Sequence, residues 1–198
     1  MAAILAMSLN SQLTGNGLTF KGNVPATVVQ LDAPPSVDQN LHNDAQNLSL
    51  LKTFAVSDQA VRDSDPDLEA VLSEIYRLDQ KLNLIQALLT QLLLQHQVIP
   101  ERCPIQLGLA SLVVTLSSTE AFSVGDHVLA ELFLVDEVPR ALNFFGVVRG
   151  TENVGSERVV IDIELSGLSD AVDSLLGRFI FSQHRREVAM QRLINDEE

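Results

Sequence analysis
The run from Leu68 to Ile99 carries an apolar residue at every third or fourth position: Leu68, Val71, Ile75, Leu78, Leu82, Ile85, Leu89, Leu92 and Ile99, with His96 as the one polar member. This alternation is a heptad seam. A helix packed on its own domain follows a 3.6-residue period, against which a strict heptad drifts by about 20° per repeat, so a seam held this long predicts winding around other helices. Ser64 or Asp65 as N-cap, Pro66 in the first turn and the acids Asp67 and Glu69 mark its start, and Pro100 closes it. A helix over residues 66–99 is about 50 Å long, more than a small domain can cover.

With Leu68 at position a, the a residues are Leu68, Ile75, Leu82 and Leu89, and the d residues are Val71, Leu78, Ile85 and Leu92. Leu at a with some Ile at d leans away from two strands towards three or four. Leu72 and Leu93 at e and Leu88 at g widen the apolar face beyond a dimer seam. A tetramer is therefore expected, held by Leu68, Val71, Ile75, Leu78, Leu82, Ile85, Leu88, Leu89, Leu92 and Leu93. In a parallel pair Glu74 would meet Asp79 of the partner, which favours antiparallel packing. His96 reads as a partly solvated end of the seam.

The formal charge of −13 is spread over both halves, with 5 basic against 10 acidic residues in 1–100 and 8 against 16 in 101–198. Such a surface repels a phosphate backbone, so nucleic acid is not an expected partner. The one basic cluster, Arg178, His184, Arg185, Arg186 and Arg192, falls in the last helix and reads as complementing its dipole. Met1 to Met7 is apolar but has no Lys or Arg and is too short to span a bilayer. No membrane insertion is expected, and the cytoplasm is the expected location. Cys103 stands alone, without Cys or His at metal-ligand spacing, and reads as a small apolar residue; no metal is expected.

Around the heptad the chain reads as a β domain. Leu18 to Leu31 is a predicted strand, followed after Ala33-Pro34-Pro35-Ser36 by a helix whose apolar positions are Leu41, Ala45, Leu48 and Leu51, extending to Phe54 and Ala55. Strands are predicted at Ile105–Leu116, Asp126–Val135, Ala141–Arg149 and Arg158–Leu165, with a polar loop at Gly150–Glu157. A last helix from Ser169 to Ile194 buries Val172, Leu175, Leu176, Phe179, Ile180 and Val188. Short strands with Gly and Asp turns predict a small antiparallel barrel, plugged or flanked by that helix. The fold class is α+β: one domain over 1–198, with a first strand at 18–31, inserted helices at 36–100, further strands within 101–168 and a final helix at 169–194. The inserted helices read as removable with a short linker.

Ser123-Val-Gly-Asp-His-Val-Leu-Ala-Glu-Leu, Phe144-Phe-Gly-Val-Val-Arg, Val159-Val-Ile-Asp-Ile-Glu-Leu and Leu176-Gly-Arg-Phe-Ile-Phe-Ser-Gln-His-Arg-Arg follow one another in an order that resembles the PilZ domain. With a first strand split off and two helices inserted, the chain is most similar to the atypical, tetramer-forming PilZ proteins of xanthomonad type, from about Leu18 to Arg186. The resemblance implies a PilZ-like barrel and a role in cyclic di-GMP signalling, where the ligand is held by an Arg-x-x-x-Arg motif and an Asp/Asn-x-Ser-x-x-Gly strand motif. Two guanidinium forks grip phosphate and stack on guanine, and small residues let the strand approach the bases.

This chain departs at both motifs. No arginine occurs in residues 1–61, and the strand motif aligns on Gln106, Gly108 and Ser111, with Arg102 nearby for one phosphate contact. The expected ligand-binding positions are thus Arg102, Gln106, Gly108 and Ser111, with cyclic di-GMP bound weakly or not at all and no other cofactor. No catalytic residues are expected: there is no Gly-rich phosphate loop, paired His ligands or Ser/His/Asp set at motif spacing, and Asp162 with Glu164 reads as a solvated strand face. The resemblance implies an adaptor that binds a signalling, pilus or flagellar protein; the alternative is a direct cyclic di-GMP receptor with an atypical site.

Overall fold
The computed structural model describes residues 18–57, 75, 77–82, 84–85, 88–89, 99–117, 121–135, 138, 140–154 and 158–195. Six antiparallel strands, β1 (Phe20–Leu31), β2 (Arg102–Leu107), β3 (Ser111–Ser117), β4 (His127–Leu132), β5 (Leu142–Asn153) and β6 (Arg158–Ser166), close into a barrel in the order β1-β2-β3-β6-β5-β4. β1 closes it by changing partner midway. Phe20 to Pro25 pair with β2, and Ala26 to Leu31 pair with β4. Pro25, which has no N–H to offer a ladder, stands at the changeover.

Alternation sends Val24, Ala26, Val28, Cys103, Ile105, Leu107, Leu112, Val114, Val128, Ala130, Leu132, Phe144, Ile161 and Ile163 inward, where all are buried. A six-stranded barrel encloses only enough room for its own side chains. Between β5 and β6 the sequence has Gly146; a Cβ there would strike the Ile163 side chain and sit 2.5 Å from the Glu164 carbonyl oxygen. Burial pushes the Cys103 thiol up to about 11, so it is an inert apolar residue at neutral pH, as its isolation in the sequence implies.

Two helices close one end. α1 (Val37–Ser57) opens with a capping box: the Gln39 amide donates to Ser36 Oγ at 3.2 Å, and Ser36 N–H donates to Gln39 Oε1 at 2.8 Å. α2 (Asp170–Asn195) follows Gly167, held at φ +74°, and is capped by Ser169, whose Oγ accepts from Val172 N–H at 3.3 Å. The helices run parallel, tied at one end by Ser169 N–H donating to Asp44 Oδ1 at 2.9 Å. At the other end Phe54 and Phe179 meet with centroids 5.7 Å apart, and Phe20 packs on Phe179 edge to face.

Three expectations change. The segment Ile105–Leu116 is not one strand: it folds back at Gly108, whose N–H donates to the Ser111 carbonyl at 2.8 Å, giving β2 and β3. β5 runs on to Asn153, which shortens the expected polar loop. The inner face of α1 is rotated from the apolar stripe read in the sequence, because Asn43 and Asn47 are buried while Leu41 and Ala45 are exposed. Both asparagine amides donate to the Asn143 carbonyl, at 2.8 and 2.6 Å, and Asn47 Oδ1 accepts from Asn143 N–H at 3.0 Å. With Leu50, Leu51 and Phe54 also in the core, α1 belongs to the barrel's own packing and is not a removable insert.

Candidate functional site
The four expected ligand positions fall at two ends of β2. Gln106, Gly108 and Ser111 gather at the β2–β3 hairpin, whereas Arg102 begins β2, six residues from Gly108 and thus about 20 Å along the strand. Arg102 Nη1 donates to the Asn23 carbonyl at 3.0 Å. Gln106 points outward from the barrel yet is only 9% exposed, and its amide reaches Thr19 Oγ1 at 3.4 Å.

Register carries Gln106 into a polar belt on the barrel exterior. It pairs with Val113, which pairs with Asp162, which pairs with Gly150 at a bulge in β5. Arg149 stands in that bulge and grips Glu164 bidentately: its Nε donates to Oε2 at 2.9 Å and its Nη2 donates to Oε1. The hydrogen bond from Arg149 holds the Glu164 carboxyl below the ordinary range. Asp162 is not the solvated residue expected from alternation. It is only 7% exposed, and its burial, reinforced by Glu164 and opposed by Arg149, raises its carboxyl above the usual value. The belt thus sets two carboxylates against one engaged guanidinium, a poor field for an anion. Sequence reasoning placed Asp162 and Glu164 on one face but missed Arg149 as their partner, because the bulge that turns it towards them leaves no mark in a period of two.

Of the expected assembly residues, Ile75, Leu78, Leu82, Ile85, Leu88 and Leu89 are helical, and each is half or more exposed in the single chain. Leu84, outside the seam at position c, is equally exposed. Leu68, Val71, Leu92, Leu93 and His96 lie outside the described residues, as do Met1 to Met7. The basic cluster of α2 is not a last-turn feature. Arg178 and Arg185 precede Asn195 by ten or more residues, beyond the reach of the helix terminus. Among the described residues no group of His, Cys, Asp and Glu is arranged to hold a metal ion, and no helix is long and apolar enough to cross a membrane.

Residues 50–193 match the family model described as atypical PilZ domain, cyclic di-GMP receptor. A crystal structure of a pathogenic protein from Xanthomonas campestris, a tetrameric PilZ domain self-assembled via an unusual helical bundle, superposes with a TM-score of 0.73. The match covers 93% of this chain and 98% of that one at 23% identity, a likeness of fold. The inhibitor of motility of Bacillus subtilis, MotI/DgrA, gives a TM-score of 0.36 at 21% identity over 44% of this chain and 42% of that one. No curated protein matches this chain in sequence.

Proposed function
This chain belongs to the atypical PilZ domain family, and on that premise we propose that it is a non-enzymatic regulatory module of cyclic di-GMP signalling that assembles into a tetramer through its heptad helix and acts by binding other proteins. The observation that carries this reading is the exposed seam. Ile75, Leu78, Leu82, Ile85 and Leu89 stand in water in a single chain, and covering each is worth about 1.5–3 kcal/mol. The helical bundle through which the Xanthomonas campestris protein self-assembles supports the same use of this helix. In this reading residues 1–198 act as one unit, with the coiled coil over 66–99 joining copies and the barrel exterior and bundle ends receiving a cytoplasmic signalling, pilus or flagellar protein.

Cyclic di-GMP binding is weak in this proposal. The separation of Arg102 from Gln106, Gly108 and Ser111, and the engagement of Arg149 by Glu164, leave no second guanidinium fork beside Arg102 at the expected positions. Light scattering with a calorimetric titration tests both halves. At about 0.1 M salt we expect a tetramer and no saturable heat below roughly 100 µM ligand. A second reading, a direct receptor with an atypical site, is favoured by the family's description. Micromolar binding establishes it over the first, and Arg102→Ala, Arg149→Ala and Arg185→Ala then locate the site.

A further inference from the structure
The barrel leaves most of the apolar stripe of α1 in water. Asn43, Asn47, Leu50, Leu51 and Phe54 are the residues it buries, whereas Leu41 is 65% exposed, Ala45 is exposed and Leu48 is only half-buried against the core. This outward stripe has its own period. Asp38, Leu41, Ala45, Leu48 and Lys52 recur at intervals of three, four, three and four, so they share one side of the helix in the spacing that suits a second helix. Asp38 and Lys52 are both exposed, and neither forms an ion pair among the described residues.

The stripe is its own complement when reversed. Asp38 lies seven residues before Ala45 and Lys52 seven residues after it, each about 10 Å along the helix, so the two ends carry opposite charges about a small central residue. A parallel copy would set Asp38 on Asp38 and Lys52 on Lys52. An antiparallel copy sets Asp38 against Lys52 at both ends, brings Leu41 to Leu48, and places Ala45 on Ala45, where the absence of a long side chain lets the backbones approach. We propose that α1 packs antiparallel on α1 of a second copy of this chain, about a two-fold axis at Ala45. A two-fold contact needs such a self-complementary patch, in which residue i meets j and j meets i. The contact uses no residue of the heptad seam and stands apart from that reading.

Ala45→Cys in the full chain tests the axis. Cys103 is buried and its thiol is raised to about 11, so the new thiol is the reactive one. Under mild oxidation Ala45→Cys should form a disulfide-linked pair about tenfold faster than Met190→Cys, an equally accessible site on α2, because the bond needs Cα atoms within about 7 Å. Asp38→Lys or Lys52→Asp in the Ala45→Cys background should slow linkage several-fold, and the two exchanges in one chain should restore it. Asp38 and Lys52 stand about 21 Å apart on one helix, so restoration arises only between copies. Both exchanges oppose the helix dipole, so it does not come from a sturdier helix. Linkage no faster at 45 than at 190, or equal rates in single and double exchanges, overturns the proposal. With Leu82→Asp and Ile85→Asp added the linkage should persist; its loss there makes it a by-product of the heptad assembly and also overturns the contact. If a charge exchange unfolds α1 in circular dichroism, Leu41→Gln should slow linkage several-fold with the melt unchanged, and an unchanged rate rejects the contact.

Discussion
The barrel and the heptad helix are built from the same residues, Leu, Ile and Val, to opposite ends. In the barrel Leu107, Leu112, Ile161 and Ile163 have no exposed surface and belong to one core cluster of the same chain. In the helix Leu82, Leu84, Ile85 and Leu89 all stand more than half exposed. Alternation with period two closes on itself when six strands meet edge to edge; a heptad seam has no such closure and is satisfied only by another helix. One region specifies the subunit, and in the proposed function the other specifies its neighbours.

If the two regions are as separate as this, damage to one should leave the other intact. The largest effect is expected from Leu82→Asp with Ile85→Asp, which puts unpaired carboxylates into the proposed bundle at several kcal/mol each. Light scattering should show smaller species while the barrel's thermal transition persists; loss of both together would break the comparison. Phe144→Ala makes the converse cut. It hollows the barrel at a fully buried position and should cost about 3–5 kcal/mol in chemical denaturation, without a change of assembly in the fraction that remains folded.

Asn47→Ala sharpens the boundary. It removes two of the three hydrogen bonds between α1 and the Asn143 backbone and should cost about 1–3 kcal/mol, seen as an earlier denaturation midpoint and faster amide exchange in α1. A neutral result would return α1 to the linker side of the comparison.

Asp162→Asn is the smallest change. A carboxyl whose folded pKa is raised favours the fold in its protonated form, so its contribution is greatest below the unfolded value, about 3.9, and is lost as pH rises through the folded value. Glu164, held low by Arg149, works in the other direction: its contribution is present above the unfolded value, about 4.3, and is lost as pH falls through the folded value. Asp162→Asn should therefore be slightly more stable than the native chain at pH 7, with the advantage shrinking on acidification towards pH 4 in parallel melts.

The barrel and its closing helix were legible because each rests on a repeated pattern. Val128, Ala130 and Leu132 alternate, Val172, Leu176, Phe179 and Ile180 recur with the helix, and a single deviation does not erase such a run. Features that rest on single residues were not legible. The fold at Gly108 hid inside a long β-rich segment, since Val, Leu and Thr continue on both sides of it. The docking face of α1 was misplaced because asparagine counts as polar in any amphipathic tally, whereas Asn43 and Asn47 are buried by bonding a strand backbone that adjoins them only in three dimensions. The candidate site suffered most. Alignment of motif letters placed Arg102 near Gln106, but a strand separates residues by length, and their separation along β2 is what the letters do not carry.

The divided pairing of β1 has a consequence for how the molecule is made. β1 leaves the ribosome first among the strands, yet its partners begin at Arg102 and end at Leu132, a hundred residues after Leu31. At about 5–20 residues per second it waits on the order of five to twenty seconds before the second of its two partners is complete. Two features temper that interval: the charge of Lys21, and Pro25, which interrupts the row of donors at its middle. Barrel closure is therefore a late and non-local event in synthesis, expected to be slow compared with formation of the helices between its two ends.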